Sequence, residues 1–146
     1  MPVAAAAPPA PPRAVQEFMT EPRFVLSLPD GSGAWTVWAG LVGPDQWYAV
    51  SSPRAGRVTG AACADPRRLL TVCFHGSVVR GRGVVVGRVT AATVAAFDDG
   101  GRRLRSIRRG DSYLVVFGGA PKRVTVVARD ARKRVVARRT LVYAPR

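Results

Sequence analysis

The chain holds one histidine, His75, and two cysteines, Cys63 and Cys73, so nucleophilic or metal chemistry would have to run through very few atoms. Cys73 and His75 are two residues apart, which puts a thiol and a base on one side of an extended strand. With Cys63 they would supply three zinc ligands. A structural zinc takes four, and no further Cys or His exists. The cysteines also flank Asp65-Pro66-Arg67-Arg68, a turn signal between apolar runs at 58–63 and 69–74. Opposite places on two such strands lie within disulfide reach when a loop of about five residues joins them. A Cys63–Cys73 bridge would stabilise by about 3 kcal/mol and belongs to an oxidising compartment. Two buried thiols are the other reading, because Cys packs as a small apolar residue. The spacing favours the bridge.

The remaining polar motifs read as turns or strands. Asp98-Asp99 is a carboxylate pair, but Gly100-Gly101 follows it between two strand-like runs, which makes it hairpin chemistry. Gly81-Arg82-Gly83 with Gly87 imitates a dinucleotide-binding glycine pattern. That pattern needs a helix after its turn, and here three valines follow. Arg109-Gly110-Asp111 spells an adhesion tripeptide that turn chemistry explains equally well. No catalytic residue, metal site or cofactor follows from these motifs, and an enzyme is not expected.

Arginine is the strongest signal. The formal charge is +14, with twenty-one Arg against two Lys. Residues 1–79 hold six basic and five acidic residues, whereas residues 80–146 hold seventeen and four. A chain rich in Ala, Gly, Pro and Arg, with one Ile and no Asn, fits a GC-rich coding sequence. That bias accounts for Arg over Lys but not for the clustering. The clusters are Arg80, Arg82 and Arg88; Arg102, Arg103, Arg105, Arg108 and Arg109; and a third from Lys122 and Arg123 through Arg129, Arg132, Lys133 and Arg134 to Arg138 and Arg139. Period-two alternation sets Arg123 and Arg129 opposite Val124, Val126 and Ala128, and Arg134 and Arg138 opposite Val135 and Ala137. The candidate anion-binding residues are therefore Arg102, Arg103, Arg105, Arg108, Arg109, Arg123, Arg129, Arg134 and Arg138. Guanidinium forks suit carboxylate and phosphate oxygens, so the expected partner is an anionic polymer, a membrane surface or a protein. Nucleic acid gripped by its phosphates is the alternative. Base stacking needs exposed aromatics among the cations, and Phe97, Tyr113, Phe117 and Tyr143 fall in core-like places.

These residues must be carried on strands. From 84 to 137, short β-branched and aromatic runs alternate with Gly, Asp and Pro turns, the pattern of an antiparallel sandwich or barrel. Earlier runs at 23–28, 35–40 and 46–50 alternate in the same way, with Trp47 and Tyr48 on opposite faces. The whole chain gives ten to twelve short strands and no helix beyond a turn at 14–19. Residues 1–22, opening on a Pro/Ala tract, read as a flexible linker, and residues 23–146 as one domain that divides into halves at 23–80 and 84–143. Prolines interrupt any apolar core of a secretory signal near Met1. Either export does not use that route, or a signal or anchor precedes the tract. No run approaches the length that spans a bilayer.

At Gly87-Arg88-Val89, at 93–100, 111–116 and 124–130, the sequence resembles a recurring Ig-like β-sandwich module of actinobacterial secreted and cell-envelope proteins. The resemblance covers about 80–138 and brings no catalytic residues. It implies an all-β, antiparallel Ig-like sandwich placed outside the cytosol, and ten to twelve strands exceed a minimal seven-stranded one, so the expected body is enlarged or partly barrel-like. The chain departs from the pattern at Ala131-Arg132-Lys133-Arg134, where a glycine turn is usual.

Overall fold

The computed structural model describes residues 9–54, 57–63, 68–79, 81–119 and 121–143. Within them the chain is all-β and antiparallel, with eleven strands and one short helix, α1 (Arg13–Phe18). The first sheet, A, is a meander of β1 (Thr20–Asp30), β2 (Gly33–Val42), β3 (Asp45–Ser51) and β4 (Val58–Ala62). Sheet B has the order β5-β6-β9-β8, from β5 (Leu70–Val79), β6 (Arg82–Val89), β9 (Ser112–Gly118) and β8 (Arg105–Arg109). Sheet C has the order β11-β10-β7, from β11 (Val135–Val142), β10 (Arg123–Arg129) and β7 (Thr93–Asp98).

Sheet B is the middle layer, and this explains its composition. A strand covered on one face alternates apolar with polar residues, whereas one covered on both reads as a continuous apolar run. Val84, Val85 and Val86 of β6 and residues 114–117 of β9 are all buried. Alternate members serve different cores. Val84, Val86, Leu114 and Val116 meet Leu26, Trp35, Val37 and Val50 of sheet A. Val85, Tyr113, Val115 and Phe117 meet Ala96, Val124, Val126 and Leu141 of sheet C. The sandwich is thus enlarged to three sheets, and none of them closes into a barrel.

Gly87 is where backbone and ring come closest. A Cβ there would collide with the Thr71 carbonyl oxygen and the Tyr113 hydroxyl. The hydroxyl can then donate to that same carbonyl at 3.0 Å. Gly87, and Gly83 which makes room for the Phe117 ring, therefore serve strand packing, whereas Gly81 is a turn residue at φ 78°.

The far side of sheet A is covered by α1. Val15 and Met19 bury against Trp38 and Ala49, and Phe18 meets Trp47 edge-on at 5.8 Å. The folded body therefore takes in residues 13–22, part of the expected linker, because apolar side chains spaced four apart have an apolar sheet face to cover. Residues 1–8 lie outside the described residues.

Two further boundaries differ from the alternation pattern. The runs 135–137 and 140–143 join into one strand, β11, since an edge strand can carry the exposed Arg138 and Arg139 between them. The run at 103–107 begins as an isolated bridge, Phe97 to Arg103, before β8 starts at Arg105.

Candidate functional site

The outer face of sheet C collects the most cationic surface. On β10, Val124, Val126 and Ala128 point into the core, so Arg123, Thr125, Val127 and Arg129 point away from it. Residues paired directly across a ladder share a face. Arg138 lies opposite Val127, Thr140 opposite Thr125 and Val142 opposite Arg123, which extends that face across β11. Phe97 and Ala95 extend it across β7, and the Phe97–Arg103 bridge adds one more guanidinium. No carboxylate stands on these strand positions. Arg123 and Arg129 are six residues apart on one strand, about 20 Å. Between them the face is partly apolar, with Thr125 and Thr140 hydroxyls 3.5 Å apart.

Turns bound the face at both ends, the one after Asp130 cationic. Asp98 Oδ1 accepts the amides of Gly100 and Arg102 at 3.0 and 2.9 Å. Asp130 Oδ1 accepts those of Arg132 and Arg134, both at 2.9 Å. Asp98 and Asp130 are engaged by their own turns, as turn chemistry reads for Asp98, whereas Asp99, Arg102, Arg132 and Arg134 are left exposed.

The nine candidate arginines do not form one plate. Arg103, Arg123, Arg129 and Arg138 share the face, with Arg102 and Arg134 at its ends. Arg105 and Arg109 sit opposite Val116 and Ser112 on the side of β8 that looks toward sheet A. Arg105 donates to the Pro29 carbonyl at 2.6 Å, and Arg109 lies 5.7 Å above the Phe24 ring. Arg108 points the other way and spends its guanidinium on the carbonyls of Gly110, Ala91 and Val89. All three stand on sheet B rather than sheet C, and the sheet a strand joins cannot be read from spacing. The register of β11 also shifts at Ala128/Arg129, so Val135 pairs with Arg129 rather than standing behind Arg134 and Arg138. Arg80 lies outside the described residues.

Cys63 and Cys73 stand at disulfide distance, with Cα atoms 4.9 Å apart. They do not face each other across a hairpin. Cys63 follows β4 in sheet A, Cys73 lies within β5 in sheet B, and no ladder joins the two strands, so the pair links two sheets. In the β5–β6 ladder Val72 pairs with Gly87 and Phe74 with Val86, which leaves Cys73 as the extra residue of a bulge. The bulge breaks the expected Cys73–His75 parity. Phe74 packs into the core between sheets A and B. The His75 ring instead meets Tyr143, which packs in the core between B and C, edge-on at 5.6 Å. Partial burial, with the Arg139 charge second, holds the His75 pKa below its ordinary 6.5. The thiol and the imidazole therefore do not converge. No group of three potential metal-ligating side chains occurs among the described residues.

Two ion pairs lock the ends of β6. Arg82 pairs with Asp30, and Arg88 with Asp111 of the adhesion-like tripeptide. The Trp35 indole N–H, at 2.9 Å, and then Arg82 hold the Asp30 carboxyl below its usual range. Arg88 does the same for Asp111. No protein-family model matches this chain, and neither a curated protein nor a solved structure is similar to it.

Proposed function

We propose that this protein is a non-enzymatic binding module that docks the outer face of sheet C onto an anionic surface. The observation that carries this reading is the set of Arg103, Arg123, Arg129 and Arg138 on one sheet face whose strand positions hold no carboxylate. Each guanidinium offers a planar fork to phosphate or carboxylate oxygens. The apolar ground between them suits a surface better than a groove-bound strand. The bonded cysteine pair is compatible with a place outside the cytosol, as the resemblance to secreted envelope modules implies. Nonspecific binding of nucleic acid through its phosphates is the second reading, favoured by the same charge and by Phe97 on the face, while Tyr113, Phe117 and Tyr143 lie in the core between sheets B and C.

The test is sedimentation with vesicles. The full chain should bind phosphatidylglycerol-containing vesicles, release them as salt rises, and ignore pure phosphatidylcholine. Stronger binding to duplex DNA than to vesicles at equal salt would transfer the reading to nucleic acid.

A further inference from the structure

A second site lies on the other side of the molecule. A cleft of about 580 Å³ opens between sheets A and B where β1 begins and β6 ends. That volume falls in the range of small-ligand sites, and the open mouth of a sandwich is a common place for one.

The unengaged groups around this cleft are mostly hydrogen-bond donors. Arg23 and Arg109 are exposed on its wall, and the Arg109 guanidinium lies 5.7 Å above the Phe24 ring. Four buried side-chain polar atoms have no protein partner among the described residues. One of them, Arg88 Nε, belongs to a side chain on this cleft, whereas the Trp47 ring turns toward Phe18 on the far face of sheet A. The exposed guanidinium groups of Arg23 and Arg109 favour a ligand that brings acceptors. Acceptors of the protein's own are also present: the exposed carboxylate of Glu21, and the Tyr48–Ser112 hydroxyl pair at 2.6 Å. Glu21 holds a left-handed backbone at φ 53°, just before Pro22, where the β1–β2 register shifts. Non-glycine residues rarely keep that conformation without local compensation, and such strain gathers at binding sites.

A simple anion would use the donors, be repelled by Glu21 and leave the hydroxyls idle. We propose that the cleft binds an acidic sugar, a hexuronate unit. Its carboxylate meets Arg23 and Arg109, and its hydroxyls meet Glu21 and the Tyr48–Ser112 pair. The site is separate from the sheet C face and does not depend on it.

The probe is glucuronate, titrated into the full chain and followed by Trp fluorescence and calorimetry, with glucose and inorganic phosphate as comparisons. Saturable glucuronate binding with Kd on the order of 1 mM is expected, at the ligand efficiency usual for so small a molecule. Glucose and phosphate should each bind at least about tenfold more weakly. Arg23→Gln and Arg109→Gln, both at exposed positions and so neutral to folding, should each weaken binding about tenfold. Arg123→Ala with Arg138→Ala should leave it unchanged. Absence of saturable glucuronate binding, equal binding of phosphate, or indifference to Arg109→Gln would overturn the proposal, whatever the vesicle experiment shows.

Discussion

Lys133 occupies the place in one turn that Gly101 occupies in another. In both, the residue three after an aspartate donates its amide to that aspartate's carbonyl at 3.0 Å and adopts a left-handed φ, 66° for Lys133 and 78° for Gly101. Asp98 and Asp130 bond the next amides identically. The Ala131-Arg132-Lys133-Arg134 turn is therefore a glycine turn built without glycine. A side chain in this region costs about 1 kcal/mol. Lys133→Gly should raise unfolding free energy by about 0.5–1 kcal/mol in urea titration, despite removing a charge. Gly101→Lys should lower it by about 1–2 kcal/mol.

The cysteine pair gives a second test. It fastens sheet A to the bulge of β5 across a sequence separation of 10. Peptide mapping without reductant should recover the Cys63 and Cys73 peptides linked, and thiol titration of the denatured chain should find no free thiol. The Cys63→Ser, Cys73→Ser double variant should lose about 3 kcal/mol of stability. Two titratable thiols would remove the support for a place outside the cytosol.

Between sheets B and C, close packing at Gly87 predicts an ordering of two variants. Tyr113→Phe removes one hydrogen bond, to the Thr71 carbonyl, and should cost about 1 kcal/mol. Gly87→Ala drives a methyl group into that carbonyl and the Tyr113 ring, and should cost about 3 kcal/mol. The reverse order in thermal melts would contradict the packing.

His75 sets part of the acid response. Its folded pKa is depressed below 6.5, so on acidification the unfolded chain takes up the proton first. Stability should fall as pH drops through about 6.5 toward the folded value, and then level off as far as this group is concerned. His75→Gln should remove that portion of the slope. As the chain's one histidine, its imidazole NMR signals should titrate with a midpoint under 6.5; a midpoint above 6.5 would contradict its partial burial near the Arg139 charge.

The strands were legible because turn residues punctuate them: Gly43-Pro44, Asp99 to Gly101 and Gly110-Asp111 each fall between observed strands. The third layer was not. The apolar runs of β6 and β9 fit one buried face or two, and only the partner sheets decide. The proximity of Cys63 and Cys73 followed from spacing, but the bulge that sends Cys73 to sheet A depends on the β6 register, which Cys73 itself does not encode. Alternation found Arg123 and Arg129, since β10 is regular. It assigns no face to Arg105, Arg108 and Arg109, which the sequence groups by charge alone and whose partners include Phe24, Pro29, Val89 and Ala91. The acidic-sugar cleft left no local trace, because its walls are drawn from 21 to 112.

The account rests on the sheet C face, and charge reversal there tests it most directly. Affinity for phosphatidylglycerol vesicles should be compared between the parent chain and the Arg123→Glu, Arg129→Glu, Arg138→Glu variant at fixed salt. At about 1 kcal/mol for each cation near an anionic surface, loss of the three charges alone predicts at least about a hundredfold weaker binding with an unchanged fold. Binding within a factor of about two of the parent chain would contradict the account.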